Sequence, residues 1–496
     1  MESLRLFAEQ LLTPGAVGSH FFFNTPAFVL CFTGFYALYL LVAGEWRGRA
    51  LALVGFSGFF YWQFGGPWVL LLAATAAVDW AVARQLPEAN GSLRRLLVGL
   101  SVAVNLGVLA WFKYRGFLFG GWAELAAGGT PDALSLLAPV GLSYTCFRSL
   151  SYVFDVRDET IEAPERSYLA YLAYVAFFPN LLAGPIHRAV DWLPQLRERF
   201  ALTTEQLGRA VFWFLAGLFK KVVIADPLAA DYLNRIFDAP DRYSGFEVLM
   251  AAYGYGVHLF CDFSGYTDMA LGVALLLGFD LSANFNEPFK ARNVGEFWRR
   301  WHITLSAWFQ DYVFTPLSYS WRSWGRWGAV LAVLVTFLLS GLWHGAGWTF
   351  ILWGASHGAA IAWETATRES RKALRLRLPA RLYDGLSLLL TLQFLSLTYL
   401  LFRAEHLAAA GRLYYRLFTD LNPALALDWA AAYPRVLGLM ALGLTLHFLP
   451  LRWKQGVAGA FGRLHWTLQA VVCALTVLAA YQVQSAEPLP FVYLNF

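Results

Sequence analysis

The chain has 496 residues, of which 58% are hydrophobic and 14% charged, and its formal net charge is +5. That length would accommodate two or three soluble domains, but a charged fraction well under the ~25% usual for them excludes that class. Nucleic-acid binding is excluded too, because Arg368 to Arg381 holds six basic residues and one acid, enough to supply the whole net charge, and no base-stacking aromatics accompany them in a polar groove.

Apolar blocks long enough to cross lipid follow one another along the chain. They run over Ala27 to Gly44, Pro67 to Ala83, Leu96 to Phe112, Val211 to Ala225, Trp327 to Ser340, Trp348 to Trp363, Leu386 to Leu401, Val436 to Leu449 and Trp466 to Ala480. Less uniform segments surround Leu51, Leu142, Tyr171, Phe246 and Asp268. At ~20 residues per crossing, the expected fold is all-α and polytopic: one integral membrane domain over 1–496 with about eleven to thirteen membrane-embedded helices. Many of the 21 tryptophans stand near block ends, where an amphipathic ring suits the membrane interface. Met1 to Pro14 lacks a basic start, an apolar run and a small-residue cleavage site, so no removable signal peptide is expected. Cys31, Cys146, Cys261 and Cys473 are scattered singly in apolar sequence and read as small buried hydrophobes, not as disulfide or metal ligands.

The basic segment Arg368 to Arg381 reads as a cytoplasmic loop under the positive-inside rule. The block Trp348 to Trp363 then starts on the outer side, with His344 in the outer half of the bilayer. The same reasoning sets Lys290, Arg292, Arg299 and Arg300 inside, with His302 near the inner face. Two histidines on opposite sides would suit transfer from a cytoplasmic donor to an outward acceptor.

Those histidines are the strongest candidates for chemistry. In Val294 to Gln310 the apolar residues recur at helical spacing opposite Glu296, Arg299 and Arg300, which predicts an interfacial helix with His302 at the edge of its apolar stripe. His302 there is equally a hydrogen-bonding structural residue. His344 stands in Leu342-Trp343-His344-Gly345-Ala346-Gly347-Trp348, where small residues permit close approach and a neutral imidazole is able to take the proton of an attacking hydroxyl. An ionisable group inside membrane segments is by default a functional candidate. His357 is read as a packing residue, and no HxxxH or HExxH spacing supports a metal site. His258 and Asp262 are four apart on one expected helix face, with Asp268 following, for which structural hydrogen bonding is the leading reading and an acid–base pair the alternative. Asn284, Lys290, Arg292, Arg299 and Arg300 form an expected polar collar suited to the phosphates of a nucleotide-linked donor or to anionic lipid headgroups.

Longer words carry a family resemblance. FFPNLLAGPIHR (Phe177 to Arg188), FCDFSGYTDMALG (Phe260 to Gly272), NFNEPFKARNVGEFWRRWH (Asn284 to His302) and SGLWHGAGWTFILWGASHG (Ser340 to Gly358) resemble, in order, the membrane-bound O-acyltransferase (MBOAT) family, in particular its bacterial polysaccharide-acylating branch. The motif-rich core runs from about 140 to 365, and Phe289 stands where the family often carries tyrosine. The resemblance implies a ring of helices around a central tunnel, with His344 as catalytic base and His302 supporting the donor side. It further implies acetyl-coenzyme A (or an acyl carrier protein) as donor and the bacterial inner membrane as location. The acceptor would be an exported polysaccharide such as alginate, reached through a separate periplasmic acyltransferase. D-alanyl transfer and peptidoglycan or cellulose O-acylation are alternatives on the same fold. The rival class is a transporter coupling protons through Asp262, Asp268 and the histidines, against which stands the lack of an inverted repeat.

Overall fold

In the computed structural model, which describes residues 21–119, 141–483 and 489–492, every regular element is helical and no strand occurs among the described residues. The expectation for Met1 to Pro14 lies outside the described residues. The principal helices are α1 (Pro26–Val42), α2 (Trp46–Gly65), α3 (Val69–Gln85), α4 (Gly91–Leu109), α5 (Leu142–Arg157), α6 (Tyr168–Val175), α7 (Ala189–Arg197), α8 (Thr204–Leu218) and α9 (Gly245–Leu276). They continue with α10 (Val294–Trp298), α11 (Ile303–Phe309), α12 (Arg326–His344), α13 (Trp348–Ala366), α14 (Arg368–Arg377), α15 (Ala380–Arg403), α16 (Leu407–Thr419), α17 (Pro434–Phe448), α18 (Leu451–Arg463) and α19 (Trp466–Val483). Polar caps start several of them: Thr203 with Gln206 and Ser244 with Glu247 form capping boxes that open α8 and α9, satisfying amide groups left without intrahelical acceptors.

Six stretches among the described residues are long and apolar enough to cross a membrane: Trp46–Glu88, Gly91–Leu118, Gly245–Leu276, Arg326–His344, Ala380–Arg403 and Trp466–Val483. A seventh appears if Pro423–Ala432 and Pro434–Phe448, bent by 99°, form one span. Other apolar blocks fold as shorter or interrupted helices, and Trp46–Glu88 holds both α2 and α3. The segment around Tyr171 makes only the eight-residue α6, and α8 passes into a π-helical stretch at Phe219–Ala225. The basic segment expected as a loop is largely the helix α14; Glu369 in its first turn and Arg375 and Arg377 in its last complement the helix dipole.

One helix organises the rest. The apolar stretch of α9 is 83% buried inside the protein, against 6% for α19, so α9 is the central post and α19 is peripheral. Glycine lets neighbours approach it: a Cβ on Gly217 of α8 would lie 2.4 Å from the carbonyl oxygen of Gly265. The α12–α13 pair is equally close, with a Cβ on Gly354 only 2.3 Å from the Phe337 carbonyl oxygen, the small-residue contact by which membrane helices gain packing without a hydrophobic drive.

Buried charge is paired along this post. Lys221 Nζ, fully buried, lies 2.8 Å from Asp226 and 2.6 Å from Asp262. The second oxygen of Asp262 accepts the backbone N–H of Val492 at 2.9 Å, and Phe491 packs against the ammonium group at 4.4 Å. The segment Pro490 to Val492 is thereby anchored in the core. His258 donates to the Ala225 carbonyl instead, so the His258–Asp262 acid–base pair does not form, and Asp268 is held by Lys220.

Candidate active site

The stretch expected as one interfacial helix is broken at the histidine. α10 is capped by the side chain of Asn293 and ends at Trp298; α11 starts at Ile303; between them His302 adopts a left-handed backbone with φ 43°, a conformation that costs a non-glycine residue roughly 1–2 kcal/mol. What offsets that strain is Asn284. Its backbone carbonyl accepts from Ile303 N–H at 2.9 Å, and its Oδ1 accepts from His302 Nδ1 at 3.0 Å, Thr304 Oγ1 at 2.9 Å and Thr304 N–H at 3.3 Å. A peptide N–H only donates, so the atom facing Thr304 is the amide oxygen and His302 carries its proton on Nδ1. Nε2 then bears the lone pair. The expected collar residue Asn284 is thus a buried clamp, and His302, at 0% exposure, is an interior residue instead of an interfacial one. Asn284→Ala strands at least two buried donors, and the expected result is a loss of about 2–4 kcal/mol, read as a lowered melting temperature of the detergent-purified protein.

His344 is the last residue of α12. Its Nδ1 donates to the Ser340 carbonyl at 2.7 Å, which assigns the lone pair to Nε2 by the same reasoning. Trp343, Trp353 and Phe402 surround the imidazole with ring centres 5.0, 4.8 and 5.6 Å away. Lys113, on a π-helical turn that follows α4, donates to the carbonyls of Trp343 and His344 at 2.6 and 3.3 Å, and Tyr114 donates to that of Leu342 at 2.7 Å. A cation and a hydroxyl therefore satisfy the last carbonyls of α12, where the helix dipole favours positive charge.

The two histidines are not on opposite faces. Trp343 lies 6.2 Å from the His302 ring and 5.0 Å from that of His344, which a separation across the ~30 Å hydrocarbon core forbids. Tyr144 of α5 joins them, 6.4 Å from His302 and 5.6 Å from Trp343. The re-entrant break at His302 is what carries that residue inward, and a continuous helix would have left it at the edge.

Of the other collar residues, Lys290 is tied to Glu287 and Arg300 to Glu296. Burial works against the charge on Glu287, but hydrogen bonds from Lys290 and Lys454 outweigh it and hold the carboxyl below its ordinary value of 4.5; Arg292 and Arg300 do the same for Glu296. Arg299 is exposed. Arg292 alone of the set lines an open cleft of about 290 Å³, together with Arg368, Arg371, Lys372 and Arg375 from α14. Glu296 and Asp384 are its only acids, so positive charge dominates.

A narrow aromatic seam lies beside His344. Phe297, Trp298, Trp301, Trp353, His357, Tyr399 and Phe402 line a gap of about 10 Å³, roughly room for one water. Trp353 and Phe402 are the same rings that flank His344. His357 accepts from the Trp298 indole N–H at 3.2 Å and donates to Thr398, so it is a hydrogen-bonding wall residue. Glu364, which caps α10 through Val294 and Gly295 N–H, and Trp353 are eleven residues apart on α13, about 16 Å of helix.

Sequence reading missed Tyr144, Lys113, Trp353, Phe402 and the α14 half of the cleft. Lys113 had a signal, a lysine at the end of an apolar block; the aromatic residues had none, since rings abound along the chain.

The sequence profile of "MBOAT, membrane-bound O-acyltransferase family" matches residues 98–398. The chain is 33% identical over 409 residues to the probable alginate O-acetylase AlgI of Pseudomonas aeruginosa, covering 80% of this chain and 75% of that protein. It is 32% identical over 422 residues to the peptidoglycan O-acetyltransferase of Helicobacter pylori, covering 78% of each. Similarity to the teichoic acid D-alanyltransferase of Bacillus subtilis is 29% over 239 residues, 46% of this chain and 59% of that protein.

Proposed function

Since the chain belongs to the membrane-bound O-acyltransferase family and is a multi-pass membrane O-acyltransferase, we propose that it transfers an acetyl group from acetyl-coenzyme A on the cytoplasmic side of the bacterial inner membrane for O-acetylation of an exported polysaccharide such as alginate, in concert with a separate periplasmic acyltransferase. The observation that supports this reading is that the protein holds both a five-cation cleft and a histidine, His344, whose flanking rings Trp353 and Phe402 also line the aromatic seam. The charged nucleotide stays in the cleft, where Arg368, Arg371, Lys372, Arg375 and Arg292 meet its phosphates, and the positive-inside rule puts that cleft in the cytoplasm. Only the thioester arm enters the seam, which spares the cost of charge in hydrocarbon.

At the inner end His344 Nε2 takes the proton of the acceptor hydroxyl as its oxygen bonds to the thioester carbonyl carbon. The tetrahedral adduct collapses by breaking the carbon–sulfur bond, and the imidazolium returns the proton to the departing thiolate, leaving ester and free coenzyme A. His302, held by Asn284 in one tautomer and orientation, supports the donor side. D-alanyl transfer would need the same base and a different thioester; the longer matches to the two O-acetylating relatives favour acetyl.

The test is release of free thiol from acetyl-coenzyme A by detergent-purified protein. Arg368 and Lys372 are exposed on α14, so replacing both by glutamine spares the fold and is expected to raise KM for acetyl-coenzyme A about tenfold or more. KM for acetyl-pantetheine, which lacks the nucleotide, is expected to stay unchanged. Equal KM values for both donors in both proteins would remove the cleft from donor binding, and no thiol release from wild type would overturn acetyl-coenzyme A as donor.

A further inference from the structure

The gap beside His344 is small, and its polar wall is unevenly satisfied. Among the side chains that line it, Trp298 and His357 are paired: the indole N–H of Trp298 goes to His357 Nδ1, and the other imidazole nitrogen goes to Thr398. Trp353 Nε1 and the Tyr399 hydroxyl, in contrast, have no hydrogen-bond partner among the described residues, although each residue is only 4% exposed. Buried donors are nearly always paired, and leaving one unmade is costly. The lining contains no carboxylate, and the acceptor nitrogen of His357 is taken, so what this wall offers is hydrogen-bond donation.

The place of the two donors gives them a use. The Trp353 ring, on α13, lies 4.8 Å from that of His344 and 5.1 Å from that of Phe402. Tyr399 stands three residues before Phe402 on α15, so the two share a helix face, and the Phe402 ring is 5.6 Å from His344. The gap and the imidazole therefore share two walls. A volume of about 10 Å³ suits a single oxygen atom, that of a water or of a carbonyl. Leu259, Phe297 and Phe402 supply apolar lining, and in so dry a setting a developing negative charge interacts strongly with the donors aimed at it. Fixed N–H and O–H groups beside a general base are the arrangement that stabilises an oxyanion.

We propose that the Trp353 indole N–H and the Tyr399 hydroxyl form the oxyanion site of the acyl transfer, taking the thioester carbonyl oxygen into the gap beside His344. This rests on the thioester reading above. As the acceptor oxygen bonds to the carbonyl carbon, the π pair moves onto the carbonyl oxygen, and both donors hydrogen-bond the anion without giving up their protons. The pair returns to the carbon as the carbon–sulfur bond breaks, and the departing thiolate takes its proton from the His344 imidazolium.

The experiment measures thiol release from acetyl-coenzyme A by the full-length protein in detergent, with kcat and KM separated and melting temperatures alongside. Tyr399→Phe keeps the ring and removes the hydroxyl. Its kcat is expected to fall about a hundredfold or more, with KM for acetyl-coenzyme A within about twofold of wild type, because the lost bond strengthens only in the transition state. Its melting temperature should be no lower, since the hydroxyl removed is an unpaired buried one. Replacing Trp353 by benzothienylalanine, which puts sulfur in place of the indole N–H, should lower kcat to a similar extent. Tyr255→Phe is the control. The Tyr255 hydroxyl is also buried without a partner among the described residues, and its ring lies 6.0 Å from that of Tyr399, but it is outside the gap, so kcat should stay near wild type. A purely structural role for Tyr399 would give a lowered melting temperature with kcat unchanged, and that result would overturn the proposal. So would equal losses of kcat in Tyr399→Phe and Tyr255→Phe, or a loss confined to KM. Absence of thiol release by wild type is a distinct failure, which removes acetyl-coenzyme A as donor and the proposal with it.

Discussion

His344→Ala is expected to lower acyl transfer by about 10²–10⁴-fold, the range that a positioned general base supplies, while leaving α12 in place. The helix should survive because alanine is the best helix former and because the hydrogen bonds at this helix end come from Lys113 and Tyr114 to backbone carbonyls, which the substitution retains. The ring's packing against Trp353 and Phe402 is lost, so His344→Gln, closer in volume, is the partner variant that separates packing from chemistry. Both should be inactive if Nε2 is the base. His302→Ala removes a ring whose Nδ1 is bound to Asn284 and should cost less in turnover than His344→Ala. The measurement is thiol release by purified protein with gel-filtration profiles matched to wild type; a wild-type rate in His344→Ala would move the proton transfer elsewhere.

Lys221→Met is expected to be the most damaging substitution for the fold. It leaves Asp226 and Asp262, 6% and 1% exposed, as buried carboxylates without their shared cation, and breaking such a pair from one side costs about 3–5 kcal/mol. It also removes the donor to the Pro490 carbonyl, loosening the anchored Pro490 to Val492 segment. The comparison that tests the cause is Lys221→Met combined with Asp226→Asn and Asp262→Asn, in which the charge is gone altogether. Because replacing a whole buried ionic group is often neutral or stabilising, the triple variant should recover most of the melting temperature lost by the single one. A triple variant as unstable as Lys221→Met would assign the effect to packing instead.

Periodicity and the apolar blocks made the membrane class readable, since lipid leaves helices as the economical way to pair every backbone group. They did not say which blocks make one uninterrupted helix, because an apolar stretch gives no indication of whether its helix is short, bent or interrupted by a π turn, as α6 and the end of α8 are. His302 and His344 were legible as candidates from residue type and setting. Their mutual position was not: treating Val294 to Gln310 as continuous put His302 at the membrane edge, whereas the left-handed turn clamped by Asn284 carries it inward. The collar suffered from the same linear view, as Asn284 and Arg292, eight residues apart, belong to different sites.

The sequence by itself determined the all-helical membrane class, the family words and the two imidazoles, because each of these depends on residue type and short-range order. Only the tertiary structure decided that Trp343 and Tyr144 join the histidines and that Arg292 meets the arginines of α14. Those facts depend on contacts between residues tens to hundreds of positions apart, set by how glycine-lined helices close around α9, and no local pattern records which side chains such packing will leave paired or alone.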